Sequence, residues 1–407
     1  MKKELTIGLF GFGVVGQGLH QVISQTKGIK ASIKKIVIKH ADKNRTLPKQ
    51  HFTTEANDVL YDPEINVIVE LIDDAQAAFA IVKQALQNGK DVVTANKKML
   101  AENLQEIYEL QKITGKSVLY EGSVCGSIPI IRNLEEYYDN DLITSIEGIF
   151  NGSTNYILTK IFEEKKSYAS ALAKAQELGF AESNPDLDVL GFDPKFKLII
   201  AIAHTFGIFV KPEHVINLGI ANITDTDVRF ARENGFTIKL IARAFKQGGK
   251  IYGFVAPQLV SQQHTLFSVR NEFNAVQVEG AFAEKQLFVG KGAGSFPTAS
   301  AVLSDISALN YHYQYEYKKR TQGAVPEFSN ALQVEALVSF EKGKGITKDS
   351  FEHFQEGYAW QGQEILRGFI ALEKLAAISK QPGISILLAP DARLNPIKIK
   401  QEAEAII

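Results

Sequence analysis

Three features of the sequence predict an α/β fold at the start of the chain and α+β folds after it. From Leu5 onward, short apolar runs alternate with stretches at helical spacing, the pattern of strand–helix units around a parallel sheet. The first run passes directly into Gly11-Phe12-Gly13-Val14-Val15-Gly16, which opens a helical stretch. After about Asn140 the periodicity changes. The prediction is an α/β Rossmann-type nucleotide-binding domain over 1–135, completed by a helix near 298–310. A second α+β domain covers 136–297, and a small C-terminal α+β module covers 320–407.

Leu5 to Phe10 reads as the first strand, and helical spacing runs from Gln17 to Ser24. The strand–turn–helix context gives Gly-x-Gly-x-x-Gly its meaning. The first glycine allows the tight turn, the second lets backbone approach a pyrophosphate, the third packs helix on strand, and the pyrophosphate sits on the helix N-terminus. The second strand is Ile33 to Ile38. A site that prefers NAD places an acid at this strand's end, about 20 residues past the glycines, for the ribose 2′-hydroxyl. Here Lys39-His40 occupies that place, with Lys43 and Arg45 close behind, so NADP(H) is favoured over NAD(H); Asp42 is the opposing charge.

Asn66 to Ile72 is a buried parallel strand by its nearly continuous apolar run. Ala75 to Asn88 is a helix stopped by Gly89, and Asp91 to Thr94 is the next strand. Lys97 lies at that strand's carboxyl end, where open α/β sheets bind ligands; it is either a solvated loop residue or a contact to substrate and cofactor. Glu102 to Thr114 is helical, Ser117 to Tyr120 is a further strand, and Glu121 to Pro129 is a glycine-rich turn. Its carbonyls suit a cation, or it only connects elements.

Leu142 to Phe150 reads as a strand, and the polar turn Asn151 to Asn155 leads into a helix, Tyr156 to Glu163. A helix over Tyr168 to Leu178 ends at Gly179. Then four acids (Glu182, Asp186, Asp188, Asp193) and two lysines crowd into Ala181 to Lys197, ahead of the apolar run Leu198 to Ala203. Asp193-Pro194 reads as a helix start, with Asp accepting from free N–H groups and Pro at the first helical position. Lys197 then stands near the positive end of the helix dipole, where a cation is mildly disfavoured. A polar cluster at the edge of a core is where perturbed pKa values collect. Helices follow at Asp225 to Glu233 and Ala299 to Leu309, and strands at Ile251–Ala256, Phe273–Val278 and Gln286–Val289. In the tail, Leu332 to Phe340 alternates like a strand. Asp349 to Gly357 reads as helical, Gln361 to Ser379 as a longer helix and Ile384 to Leu388 as a strand. No catalytic motif falls in that block.

The totals exclude several classes. The 407 residues suit two or three domains. Apolar content of 45% and charged content of 22% are ordinary for a soluble globular protein. A net charge of −1 offers no field for nucleic acid or an acidic membrane. The single cysteine, Cys125, permits no intrachain disulfide and fits a reducing, cytoplasmic setting. No apolar run reaches the roughly 18 residues of a membrane span.

With these residues laid out, the chain resembles the homoserine dehydrogenase family from about Lys3 to Leu309. The resemblance is carried by GFGVVGQGL at Gly11–Leu19, VVTANK at Val92–Lys97, YEGSVCGSIPII at Tyr120–Ile131 and NGSTNYIL at Asn151–Leu158. It continues in ELGFAESNPDLDVLGFDPKFK at Glu177–Lys197, IKLIARA at Ile238–Ala244 and GKGAGSFPTASAVLSDI at Gly290–Ile306. The resemblance implies NAD(P)H-dependent, reversible hydride transfer between aspartate 4-semialdehyde and L-homoserine, in threonine, methionine and isoleucine biosynthesis. It gives the second domain catalytic and dimerisation roles, in a homodimer or higher homo-oligomer.

By the same resemblance, Lys197 and Lys97 serve proton transfer and oxyanion stabilisation, with Lys197 preferred as donor. Lys97 bridges substrate and nicotinamide, and Asp193, four residues before Lys197, orients its ammonium. Glu182 binds the substrate's amino group and Asp188 is a further active-site acid. Cofactor contacts fall on Phe12, Gly13, Val14, Val15, Thr94, Lys97 and Gly294, and Lys39 is added as the cation at the second strand's end. A sodium ion would take backbone carbonyls at Glu121, Val124, Gly126 and Ile128. The chain departs from the family at Asp73-Asp74, where glycines are usual, and at Ser153 and Phe180. Its tail lacks the ligand-binding signature of the family's ACT-type regulatory domain, which puts threonine feedback in doubt although the module is otherwise ACT-like in position. Two alternatives stand beside this reading. One is an aspartate-semialdehyde dehydrogenase, which needs Cys125 as nucleophile; the other is a catalytically inactive NADP-binding sensor or scaffold of the same fold.

Overall fold

The structure is a computed structural model, and it describes residues 4–140, 142–360, 362–390 and 394–396. In chain order the first elements are β1 (Leu5–Phe10), α1 (Val14–Gln25), β2 (Ala31–Val37), β3 (Phe52–Thr53), α2 (Asn57–Leu60), β4 (Val67–Glu70), α3 (Ala75–Gln87), β5 (Asp91–Thr94), α4 (Lys97–Thr114), β6 (Val118–Leu119) and α5 (Ile130–Arg132). Then come β7 (Ile143–Ile149), α6 (Gly152–Glu164), α7 (Tyr168–Glu177), α8 (Asp186–Val189), α9 (Phe192–Phe206), β8 (Ile216–Asn217), α10 (Asp225–Glu233), β9 (Thr237–Gln247) and β10 (Lys250–Val260). The chain continues with β11 (Phe273–Gly280), β12 (Glu284–Lys291), α11 (Ser295–Ala308), α12 (Lys318–Thr321), β13 (Glu327–Phe328) and β14 (Leu332–Glu341). It ends with β15 (His353–Trp360), β16 (Gln363–Ala371), α13 (Leu372–Ile378), β17 (Ile384–Leu388) and β18 (Leu394–Pro396).

These elements form two compact units. The first holds the residues up to Ile143, Phe196–Pro212 and Phe273–Val325. Its sheet has the order β3-β2-β1-β4-β5-β6, and every pairing is parallel. The strands are short and apolar because helices cover both faces: Val67 to Val69 are at most 1% exposed. This order reverses direction between β1 and β4, which opens a ligand crevice at the strands' carboxyl ends. The hairpin β11–β12 and the helix α11 also belong to this unit.

The second unit holds Thr144–Lys195, Glu213–Glu272 and the chain from Pro326 on. Its sheet runs β7-β9-β10-β17-β14-β16-β15, with β8 and β13 on β10 and β18 on β14. The tail strands share one core with the middle of the chain: Val334, Val338, Ile370 and Leu388 pack with Phe245, Tyr252 and Phe254. No helix of the described residues is long and apolar enough to cross a membrane.

Two sequence expectations for the tail are corrected. Asp349 to Gly357 is not helical: a single turn at Lys348–Ser350 leads into β15. Phe351, Phe354 and Tyr358 mimic helical spacing, but the segment pairs antiparallel with β16 from His353 to Trp360. Gln361 to Ser379 is not one helix either; Gln363–Ala371 is β16, and only Leu372–Ile378 is helical. Gly368 explains part of this, since a side chain there would come within 2.5 Å of the His353 carbonyl, so a glycine is what lets the two strands approach. Gln361 itself lies outside the described residues. The sequence reading also assigns no strand to β9, which pairs with β10 along its whole length.

The first unit is closed by a buried polar cluster. Glu135 accepts from the Glu316 and Tyr317 N–H groups at 3.1 and 3.0 Å and lies 2.6 Å from His204 Nδ1. His204 Nε2 meets the Tyr120 hydroxyl at 2.8 Å, and that hydroxyl meets Tyr317. The cluster therefore joins α9, the end of β6 and the strap after α11. Burial pushes the Glu135 carboxyl up, but the His204 ring, its hydrogen bond, the Tyr317 N–H and the Lys319 ammonium outweigh it, and the net shift is downward. A carboxyl depressed in the folded state contributes stability above its unfolded pKa and loses it as pH falls through the folded value. Glu135→Gln is therefore expected to lower the unfolding free energy at pH 7 by about 2–3 kcal/mol. The gap from wild type should close as denaturant titrations are repeated below about pH 4.

Candidate active site

In the first unit, β1 ends in the glycine turn that opens α1. Gly11 has φ +94°, and a side chain there would meet the Leu71 carbonyl at 2.6 Å. Gly16 likewise has no room, since a Cβ would stand 2.4 Å from the Gly11 carbonyl. Gly13 differs: nothing lies within 4 Å of its Cβ direction, and as the N-cap of α1 it leaves the helix's first N–H groups without a side-chain partner. A second helix opens beside it. Gly294, with φ +121°, is the N-cap of α11 and also offers no side-chain cap. The Ser295 hydroxyl donates to the Val14 carbonyl at 2.8 Å, and Gly18 packs on Ser295. Two uncapped helix N-termini with open space at Gly13 fit a pyrophosphate.

A cavity of about 330 Å³ adjoins this turn, lined by Phe12, Gln17, Asn44, Arg45 and Thr46. Arg45 donates to the Lys43 and His40 carbonyls at 2.8 and 2.6 Å, and its guanidinium lies 5.3 Å from the Phe52 ring centre. Lys39 stands exposed just past β2. The cation that lines the cavity is thus Arg45.

At the carboxyl ends of β4 and β5 lies a set of polar side chains. Glu70, fully buried, accepts from the Thr94 hydroxyl and the Ile72 N–H, both at 2.6 Å. Thr94 Oγ1 accepts from the Asn96 N–H at 3.0 Å, and Asn96 caps α4 by accepting from Met99 N–H at 2.9 Å. Lys97 is the first residue of α4, five residues before the expected helix start, and is half-buried. Burial pushes the Glu70 carboxyl up to about 7, against the Thr94 and Ile72 hydrogen bonds. The unusual Asp73-Asp74 is accounted for: Asp74 caps α3 by accepting from Ala77 N–H at 2.9 Å, and Asp73 is exposed.

The turn after β6 is built around Glu121. Its carboxyl accepts from the Ile131 and Arg132 N–H groups at 2.8 and 2.9 Å, and its own N–H donates to Asp305 at 2.8 Å. Burial, reinforced by Asp305, raises Glu121 to about 8. Cys125 and Gly126 both take left-handed backbone, φ +54° and +52°, while Val124 and Ile128 are buried. Cys125 is itself buried, a poor place for a thiol that must attack a substrate.

The second unit brings three of the expected residues' neighbours together. Asn151 caps α6 by accepting from Thr154 N–H at 2.8 Å. Its amide nitrogen donates to Asp188 at 2.7 Å and to Asp193 at 2.8 Å. Asp193 is 4% exposed. This corrects the expected helix start: α9 begins at Phe192, Pro194 falls within its first turn, and the Asp193 carboxylate accepts from the Asn151 amide. Lys197, 5% exposed, follows Asp193 by one turn along α9 and falls in the part of that helix that belongs to the first unit. Glu182 is exposed on the loop ahead of α8, where its carbonyl accepts from Gln176 at 2.9 Å.

Sequence reasoning passes over Glu70, and it treats Asn151 only as a turn residue. An acid ending the apolar run Val67–Glu70 is the signal for the first. An Asn three residues before Thr154 at a helix start is the signal for the second.

A family model described as "Homoserine dehydrogenase, NAD binding domain" matches residues 11–121, and one described as "Homoserine dehydrogenase" matches 129–307. The homoserine dehydrogenase of Bacillus subtilis (strain 168) is 42% identical over 316 residues, 75% of this chain and 73% of that one. That of Helicobacter pylori is 37% identical over 357 residues, 84% of each chain. The solved homoserine dehydrogenase from Thiobacillus denitrificans aligns with a TM-score of 0.83 and 31% identity, covering 95% of this chain and 98% of its own. A hyperthermophilic archaeal homoserine dehydrogenase in complex with NADPH aligns with a TM-score of 0.66 and 26% identity, covering 77% and 99%. With its nucleotide sheet, its two glycine-capped helices and these relatives, the chain belongs to the homoserine dehydrogenase family.

Proposed function

We propose that the protein interconverts aspartate 4-semialdehyde and L-homoserine with NADP(H), and that NAD(H) serves less well. The observation that carries this reading is the Asn151 amide holding both Asp188 and Asp193, the latter one helical turn ahead of Lys197 in α9. The cofactor supplies the hydride to the aldehyde carbon. Lys197 gives a proton to the oxygen on which negative charge develops, and Lys97 steadies that oxygen and the carboxamide end of the cofactor. Asp193 orients the Lys197 ammonium. Glu182 and Asp188 receive the substrate's own ammonium group, the natural partner of carboxylates.

The cofactor's phosphates suit the paired N-termini of α1 and α11, with Phe12, Gly13, Val14, Val15 and Gly294 around them. Thr94 and Lys97 take the nicotinamide end. Arg45, with Lys39 nearer the solvent, suits a 2′-phosphate, because a guanidinium meets phosphate oxygens in a fork. The turn from Glu121 to Ile128 would hold a sodium ion through the carbonyls of Glu121, Val124, Gly126 and Ile128. Among the described residues no cluster of three His, Cys, Asp or Glu could hold a metal. In functional terms, 1–135 with the helix near 298–310 hold the cofactor, 136–297 the substrate, and 320–407 form a module without catalytic residues. We place the protein in the cytoplasm as a homodimer. The edge strand β12 supports association, since Val289 is 54% and the adjoining Phe282 84% exposed.

Absorbance at the NADPH band, with aspartate 4-semialdehyde as substrate, is expected to show turnover in the wild type. Lys197→Ala should reduce kcat by about 10²-fold or more, with NADPH affinity by fluorescence within about threefold. Absence of wild-type turnover despite tight NADPH binding would overturn the enzyme reading. Arg45→Ala should raise the KM for NADPH about tenfold or more and leave that for NADH within about twofold; equal losses for both would remove Arg45 from the 2′-phosphate site. Light scattering should return twice the chain mass, and a monomer at working concentration would refute the dimer.

A further inference from the structure

Glu70 sits where a carboxylate has no ordinary reason to be. It ends the central strand β4, is 0% exposed, and no cation acts on it among the described residues; the charged group that does act is Asp73. A buried acid of this kind is kept only by hydrogen bonds, and its two oxygens are divided between different segments. One oxygen receives the Ile72 N–H, in the loop between β4 and α3, and the other receives the Thr94 hydroxyl, at the end of β5. The same loop is gripped a second time, because the Asn96 amide donates to the Ile72 carbonyl at 3.0 Å. Thr94 Oγ1 and Asn96 then pass the constraint to the first turn of α4. Leu71, next to Ile72, is also the residue whose carbonyl closes on Gly11 of the glycine turn. The chain of bonds thus runs from the loop after β4, which packs on the glycine turn, through Glu70, to the helix whose first residue is Lys97.

We propose that Glu70 is a positioning residue for the reaction: it fixes Thr94 and the Asn96 cap, and so sets where Lys97 stands relative to the loop after β4. The inference rests on the reading of Lys97 as an active-site lysine. A small displacement is enough to matter, since a misplacement of about 1 Å in a catalytic group costs on the order of 10²-fold in rate. The two acceptor positions cannot both be kept by an amide. Glutamine supplies one carbonyl oxygen and one NH₂, so Glu70→Gln keeps half of the grip and Glu70→Ala none.

The test uses the full-length protein and two readouts. In steady-state kinetics, Glu70→Ala should lower kcat about tenfold or more, with Glu70→Gln in between. Independently of turnover, the lysines are reductively methylated with a ¹³C label, and the Lys97 resonance is assigned by its absence in Lys97→Arg. That resonance should shift or broaden in Glu70→Ala while the surface lysine signals stay in place. Should Glu70→Ala fail to fold, Asn96→Ala removes the α4 cap and the second grip on Ile72 while leaving Glu70 and Thr94 in place, and should give the same loss of kcat and the same change at Lys97. An unmoved Lys97 resonance in a folded variant overturns the proposal, as does a kcat within about twofold of wild type. If the wild type shows no turnover, the enzyme reading fails, and the resonance still decides whether Glu70 holds Lys97.

Discussion

Several loops of this protein are held by carboxylates withdrawn from water that accept from N–H and O–H donors. Glu70 takes Thr94 and Ile72, Glu121 takes Ile131 and Arg132, and Asp227 takes the Thr224 N–H and hydroxyl at 2.8 Å each. An acceptor with two oxygens can bind two segments at once, and in a dry site each bond is stronger than it would be in water. The same dryness drives the carboxyl toward its neutral form, which is why Glu70 and Glu121 are raised to about 7 and about 8. Asp193 belongs to the same pattern, tied to Asn151 and buried ahead of Lys197. Rigidity at the loops and strained protonation equilibria therefore arise from one cause.

Much of the first unit was legible in the sequence. β1, β5 and α3 fall within a residue of where the apolar runs put them, because buried parallel strands have no polar positions to blur the pattern. The tail was less legible. Phe351, Phe354 and Tyr358 are spaced as on a helix, yet the segment is an edge strand, and pairing with β16 decides the outcome. For the proposed site, side chains suited to chemistry by type, such as Lys97 and Lys197, could be named from motifs. Residues that act through hydrogen bonds could not. Glu70 lies 24 residues from Thr94, and Asn151 lies 37 from Asp188 and 42 from Asp193; such pairings depend on the fold and leave no local trace.

The two ends of the proposed reaction are built differently. The phosphate end uses main-chain dipoles, which no point substitution removes and which tolerate ordinary pH. The proton-transfer end uses side chains, which evolution can tune one at a time through their partners. Arg45 stands between the two: its position depends on the His40 and Lys43 carbonyls and on the Phe52 ring.

The contact between Ser295 and Val14 joins residues 281 positions apart. On a ribosome adding about 5–20 residues per second, α1 emerges roughly 15–55 s before the helix that covers Gly18. Once β6 has emerged, the nucleotide half has its strands and its glycine turn but still lacks one of the two helix ends proposed to meet the phosphates. On the proposed reading of these helix ends, cofactor affinity would be acquired late in synthesis. A shortened chain ending before Ser295 would be an incomplete receptor rather than a small independent one.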